Sequence, residues 1–393
     1  MNRFGALKLV EAPAFYSRDL EMPDDVPGNE LSHSLHYSVQ LPHSITPCLA
    51  AYFISKFSRK GQVILDPFCG SGNVALEATL LGRVSKASDI DPLALQIAAA
   101  KLNPADITEV TLKLQTINLK RPVDLANYRQ VFSVFYDIDT YREILNLRDY
   151  LLANNDKAAA FINLLALSIL HGNSAGYLSS YSHPQLALSP AEQQKINFQR
   201  AQTPDYRPLH PRILRKAAYV LREGIPSVMY SNMKFNTCQK SDARNLSYLQ
   251  GSSVDLIITR PPALNLNSRK NSEALDSQWL KNWFLGVEDS ERERANDDLD
   301  NWKDFLNESL LEMARVLRPG GRAILDFSSI KAGNETIYPD DIVTDIINES
   351  LSKFWEAEGV YLQKTKCSKV RNEQKSDANS LNKNSRSLVL RRR

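Results

Sequence analysis

The residues best suited to chemistry lie between Val63 and Gly72, VILDPFCGSG, where a short apolar run ends in Asp66 and breaks into a turn containing Gly70 and Gly72. The run predicts a buried strand, and the glycines let the backbone approach a ligand with no Cβ in the way. The following NVALEATLLG sets Val74, Leu76, Ala78 and Leu81 at mostly helical spacing, so the turn opens onto a helix N-terminus whose N–H groups form a natural anion site. About twenty residues on, SKASDIDPLALQIAAAKLNP puts Asp89 at the end of a second strand, from where an acidic side chain grips a ribose diol. A nucleotide-like cofactor is implied. The turn lacks the GxGxxG spacing of dinucleotide sites and has no Lys-Ser or Lys-Thr pair for a triphosphate.

DPFCGSG followed by DIDP resembles the S-adenosylmethionine-binding motifs of amino-directed methyltransferases, especially the DNA adenine-N6 and cytosine-N4 enzymes and their RNA-modifying relatives. The resemblance extends from about residue 31 to 390 and implies an S-adenosylmethionine cofactor and a nucleic acid, DNA foremost, as partner, in a restriction–modification setting. By the same resemblance Asp66, Phe68, Gly70 and Gly72 shape the methionine pocket and Asp89 holds the ribose. Asp242, in SDARNL, accepts from the adenine amino group. The segment HSLHYSVQLPHSITP, residues 33–47, is similar to one that closes over the methionine part, with His36, Tyr37, Pro42 and Pro47 fitting loosely and Gln40 where the family has a basic residue.

In that family a later strand ends in Asp, Asn or Ser, then Pro-Pro and an aromatic. The first residue and a neighbouring carbonyl accept the target amine's hydrogens, and the ring stacks on a base taken out of the helix. The matching residues are Thr259-Arg260-Pro261-Pro262-Ala263. Arg260 is donor-only and cationic, so it cannot accept from an amine and opposes positive charge developing there. Ala263 lacks a stacking face worth ~1–3 kcal/mol per base. The cofactor half reads as intact and the catalytic half as altered. Three accounts stay open: an inactive cofactor- and nucleic-acid-binding subunit, an enzyme that supplies the missing groups from elsewhere, or one whose substrate is not a flipped base. An RNA methyltransferase is a further alternative, since DPFCGSG is shared with guanine-N2 enzymes, which keep an acidic residue where Arg260 stands.

Composition narrows the classes. A net charge of +3 against 48 basic and 45 acidic residues does not identify a nucleic-acid partner globally. Cys48, Cys69, Cys238 and Cys367 are widely separated, which argues against a zinc site and a disulfide framework and points to a reducing cytoplasm. His33, His36 and His43 lack the carboxylates of a metal site, and no metal is expected. The most apolar stretch, Ala158 to Leu170, is too short to span a bilayer and reads as a core helix.

The elements that must position these residues predict an α/β chain: a Rossmann-like methyltransferase sheet with helices on both faces and a mainly helical insert. Residues 1–30 read as an extended arm, 31–127 as the cofactor half, 128–235 as the insert and a candidate target-recognition lobe, and 236–393 as the second half. In the insert, Ser189, Pro190 and Glu192 form a capping box. The candidate nucleic-acid contacts are Tyr177 and Tyr181 beside His183, with Arg212, Lys216 and Arg222 on the outer face of the helix after Pro211. VDLIIT, residues 254–259, resumes the sheet, and WKDFLNESLLEMARVLRPGGRAILDF predicts a helix, a Pro-Gly-Gly turn and a strand. Lys364, Lys366, Lys369, Arg371, Lys375, Lys383, Arg386 and Arg391 to Arg393 make a basic C-terminal segment with a polar hairpin loop in its middle.

Overall fold

The apolar runs become the middle of one sheet. The computed structural model describes residues 19–21, 32–42, 44–125, 127–183, 187–264, 278–287, 298–332, 335–362 and 385–393. Within these the strands are β1 (Asp19–Glu21), β2 (Val63–Asp66), β3 (Val84–Asp89), β4 (Thr237–Lys240), β5 (Val254–Thr259) and β6 (Leu317–Ser328). A small hairpin of β7 (Ile330–Ala332) and β8 (Glu335–Ile337) precedes β9 (Trp355–Leu362) and β10 (Ser385–Arg392). The eight-stranded sheet has the order β1-β9-β10-β6-β5-β2-β3-β4. Neighbours from β4 to β6 run parallel, whereas β10 is antiparallel to both β6 and β9. The chain winds outward from β2 through β3 and β4, then returns to its other side with β5 and β6. The crevice beyond the ends of β2 and β5 is therefore the topological switch point, where open α/β sheets bind ligands.

Side-chain alternation shows which face each helix covers. Ile64, Leu256, Ile258, Ile324 and Val389 pack with Leu49, Phe53 and Ile54 of α1 (Pro47–Phe57). Their neighbours Leu65, Ile257, Ala323, Leu325 and Leu388 pack with Trp302, Leu306, Leu310 and Met313 of the helix Leu299–Val316. Both faces are thus closed to water, as parallel strands require. α2 (Asn73–Leu80) follows the glycine turn, and α3 (Pro92–Leu102) starts with Asp91 accepting from Leu93 N and Pro92 in the first turn. The capping pattern explains why a helix begins there.

The helical segment after residue 127 contains α5 (Ile138–Ala153), α6 (Lys157–Leu167), α7 (Pro190–Gln199) and α8 (Leu209–Val220), with α4 (Ile107–Gln115) just ahead of it. The apolar helix read at residues 158–170 is α6, buried along its length. The Ser189–Glu192 capping box forms. Ile144, Phe161 and Ile213 share one core with Leu93 and Ile97 of α3 and Val110 of α4, so these helices sit directly on the cofactor half. No helix among the described residues is long and apolar enough to cross a membrane.

Two local expectations need correction. The Pro319-Gly320-Gly321 turn does not separate helix from strand: β6 begins at Leu317, and the extra residues bulge between the pairs Val254–Leu317 and Leu256–Arg322. Gly320, at φ +77°, supplies the left-handed bend that the bulge needs. Part of the N-terminal arm is also a strand, with Asp19–Glu21 paired parallel to Val360–Leu362. The basic segment from Lys364 to Lys383, its hairpin loop, His43 and Cys367 lie outside the described residues.

Candidate functional site

At the switch point the ends of β2 and β5 meet. Thr259 Oγ1 donates to Asp66 Oδ1 at 2.5 Å, so the strand carrying the Pro-Pro turn is joined to the strand carrying the glycine turn. A cavity of about 340 Å³ opens here, lined by Asp66, Phe68, Gly70, Asp89 and Asp242 on one side and by Arg260 to Ala263 on the other. The sequence placed these groups 193 residues apart along the chain, and the fold unites them.

The glycine turn is held from within. Gly70 N donates to Asp89 Oδ2 at 2.9 Å, Ser71 N to Ser44 Oγ at 3.4 Å and Gly72 N to Cys69 O at 2.7 Å. These three amides, just ahead of α2, are therefore used inside the protein. Gly72, at φ +68°, is required by packing as well as by conformation: a Cβ would stand 2.8 Å from both Cα and Cβ of Ala98 in α3. Gly72→Ala should lower the unfolding free energy by about 2–5 kcal/mol, combining left-handed strain with overpacking. Urea denaturation checks this, with Gly70→Ala, whose Cβ would meet only Ser44 Oγ at 3.4 Å, as the milder control.

Asp66 and Asp89 dominate the electrostatics. Burial pushes the Asp66 carboxyl up to about 7, against hydrogen bonds from Thr259 and Phe68 N that favour its charged form. Burial likewise raises Asp89 to about 6, although Gly70 N and Asp91 N donate to it. Two desolvated carboxylates in one cavity suit a cationic ligand and resist a phosphate. Asp242 lies two residues beyond β4, where Arg244 grips it with Nε at 3.0 Å and Nη2 at 2.6 Å and holds its carboxyl below the usual range. The same guanidinium lies 5.3 Å from the Phe305 ring, itself 5.8 Å from Phe68.

Residues 33–47 brace this turn through contacts that the motif reading missed. Lys101 is buried and donates to Val39 O at 2.9 Å and Ser71 O at 2.7 Å, and burial lowers its ammonium to about 7. Asn73 Nδ2 donates to Gln40 Oε1 and Ile45 O, and the His36 ring lies 2.7 Å from Glu77 Oε1. Pro42, Ser44 and Ile45 reach the cavity wall, whereas Tyr37 faces Tyr219 and Arg222. Lys101 was legible in principle, as a lone lysine in the apolar QIAAAKL of α3.

Arg260 does not project as an isolated cation. Its Nε donates to Asp326 Oδ2 at 2.9 Å and its Nη2 to the same oxygen, and Nη2 also reaches Ser385 Oγ at 3.2 Å. Asp326 Oδ1 accepts from Ser385 and Ser387. The reading that Arg260 opposes positive charge is corrected accordingly, since a buried carboxylate offsets it. Pro262 O accepts from Trp302 Nε1 at 2.9 Å, which fixes the turn, and Ala263 is exposed at its rim.

The candidate nucleic-acid residues do not form one row. Tyr177 packs over Gly172 into the helical core. Tyr181 lies under the Arg200 guanidinium at 3.4 Å. Arg212 donates to Ala175 O and Pro208 O. Lys216, expected to face outward, turns back to donate to Tyr37 O at 2.8 Å, and burial lowers it to about 8. Arg222 lies over Tyr37 and Tyr219, and Arg215 of α8 is exposed.

The parallel sheet with one antiparallel strand near its edge, and the glycine-turn crevice at its switch point, define a Rossmann-like methyltransferase fold. Residues 24–100 match the N6/N4 DNA methylase family model, so this stretch carries that family's sequence and the resemblance read from DPFCGSG holds. A curated relative, the type II methyltransferase M.MjaII of Methanocaldococcus jannaschii, is 36% identical over 87 residues, which is 22% of this chain and 15% of that protein's length. Among solved structures, a Thermus thermophilus protein taken to be a DNA modification methylase, in complex with S-adenosyl-L-methionine, is 17% identical over 38% of this chain and 53% of that one, with a TM-score of 0.23. The rRNA methyltransferase aviRa of Streptomyces viridochromogenes is 12% identical over 96% of each chain, with a TM-score of 0.34. TM-scores this low add nothing to the fold, which rests on the strand order.

Proposed function

We propose that the chain is an S-adenosylmethionine-dependent methyltransferase acting on an exocyclic amino group of a DNA base, adenine N6 or cytosine N4. The observation that carries this is the Thr259–Asp66 hydrogen bond, which brings the Pro-Pro turn and the glycine turn into one cavity. The donor set fits the cofactor: two desolvated carboxylates, Asp66 and Asp89, suit a ligand bearing ammonium and sulfonium charges, and Phe68 and Phe305 offer an apolar wall. When bound, that cofactor supplies an electrophilic methyl group. Asp66 would hold the methionine end, Asp89 the ribose and Asp242 the adenine. The turn at residues 259–263 would present its backbone carbonyls to the target amine, leaving the nitrogen lone pair directed at the methyl group. Apolar walls exclude competing water.

A thermal shift with S-adenosylmethionine or its demethylated product, followed by tritium transfer to mixed DNA and RNA, tests the reading. Absence of a shift at millimolar ligand overturns the cofactor assignment. Transfer to RNA alone reassigns the substrate, and binding without transfer leaves an inactive nucleic-acid-binding subunit.

The residues that would contact nucleic acid are Arg215, Tyr219 and Arg222, on α8 and just beyond it. Replacing Arg215 and Arg222 with Gln should reduce the slope of log K against log salt by about 2, since each phosphate contact on duplex DNA contributes about 0.9. An unchanged slope in a salt titration would place the contact elsewhere. Lys216→Gln is a poor probe, because its ammonium ties α8 to Tyr37.

A further inference from the structure

The target end of the cavity has a donor where the family has an acceptor. Thr259 is buried, and its hydroxyl proton goes to Asp66. Asp326, also buried, takes Arg260 Nε and Nη2 on one oxygen and the Ser385 and Ser387 hydroxyls on the other, which fills the four sites of a carboxylate. The register explains the clamp: Thr259 lies opposite Leu325 and Ser387 opposite Asp326, so Arg260 comes beside Asp326 as β5 ends. Of the five guanidinium N–H groups, the two on Nη1 make no hydrogen bond to any described residue, and Arg260 lines the cavity.

We propose that Arg260 reads the target base, its Nη1 donating to the ring nitrogen beside the amino group while a backbone carbonyl of the turn accepts from that amine. Such a donor–acceptor pair matches the N=C–NH2 edge shared by adenine and cytosine. A neutral ring nitrogen fits better than a phosphate because Asp326 offsets the charge of Arg260, leaving an oriented donor with little net attraction for an anion. The stiffness of the clamp serves the reading, since a guanidinium fixed on one edge presents the other with little further ordering. The inference rests on the proposed base-methylating function and deepens it.

The test uses the full chain saturated with S-adenosylhomocysteine, and fluorescence anisotropy with short thymine-tract single strands. One central residue is adenine, 1-deazaadenine, cytosine, 3-deazacytosine or an abasic site. Each deaza base keeps the amine and replaces the ring nitrogen by C–H. The wild type should bind adenine and cytosine strands about tenfold more tightly than their deaza counterparts, the scale of one well-placed base contact. Arg260→Lys, which retains a cation for Asp326 but loses the fork, should bind natural and deaza strands alike. Arg260→Met with Asp326→Asn, which removes both charges together, should do the same and guards against misfolding of the first variant. Equal binding of natural and deaza strands by the wild type, or discrimination that survives in both variants, overturns the role of Arg260. If the abasic strand binds as tightly as the natural ones, no base enters the cavity and the base-methylating reading falls with it. If the abasic strand is weaker while deaza and natural strands are equal, only the Arg260 assignment fails.

Discussion

Arg260→Ser should lower the unfolding free energy by about 3–5 kcal/mol, because it leaves a buried carboxylate without its cation. Asp326 is 1% exposed, and Ser385 and Ser387 supply hydrogen bonds but no charge. Adding Asp326→Asn should recover most of the loss, since the neutral amide no longer needs a cation. Urea denaturation of the two variants decides it, and a single variant as stable as the wild type would show that the ion pair contributes little. The result matters for any attempt to restore the family's turn. From sequence alone, Arg260→Ser with Ala263→Tyr restores an acceptor and a stacking face together. The structure adds that Asp326 must be neutralised in the same protein, or loss of fold will hide any gain in methyl transfer.

The second large effect concerns the cofactor cradle. At a ligand concentration of one hundred times Kd, S-adenosylmethionine should stabilise the wild type by about 2.7 kcal/mol. Gly70→Val should abolish that gain: Gly70 sits at φ +46°, where a β-branched residue is strained, and the new side chain fills the cavity mouth beside Ser44. Asp66→Asn should reduce the gain and alter its pH dependence. The Asp66 carboxyl titrates at about 7 when folded, against an ordinary value of 3.8, so the folded protein binds the proton more tightly. Its contribution to stability is complete below that ordinary value and is lost as pH rises through about 7. A cationic ligand favours the ionised carboxylate, so the ligand-induced stabilisation should grow from pH 5 to pH 8 in the wild type and stay level in Asp66→Asn. Calorimetric titrations at the two pH values check this, and parallel profiles would remove Asp66 from the ligand's charge balance.

The sequence by itself determined the elements whose causes are local. The VILD strand, the left-handed glycines, the Asp91 and Ser189 caps and the amphipathic helix through Trp302 and Met313 are each specified within a few residues. Because the glycine turn and Asp89 belong to one strand–helix–strand unit, their nearness was legible as well. Only the tertiary structure decided how the target half is wired. Arg260 read as a cation without a counter-charge because its partner, Asp326, lies 66 residues away in β6, and Ser385 lies 125 residues away in β10. Lys216 read as outward from helical periodicity, yet its long stem reaches Tyr37 O across a separation of 179 residues. Periodicity assigns a face to a Cβ and leaves the end of a flexible side chain undetermined. The amides of residues 70–72 likewise find their acceptors, on Asp89, Ser44 and Cys69, only in the folded chain. A buried polar group must find its partner wherever the fold places one, and sheet register and helix packing are set by the whole chain.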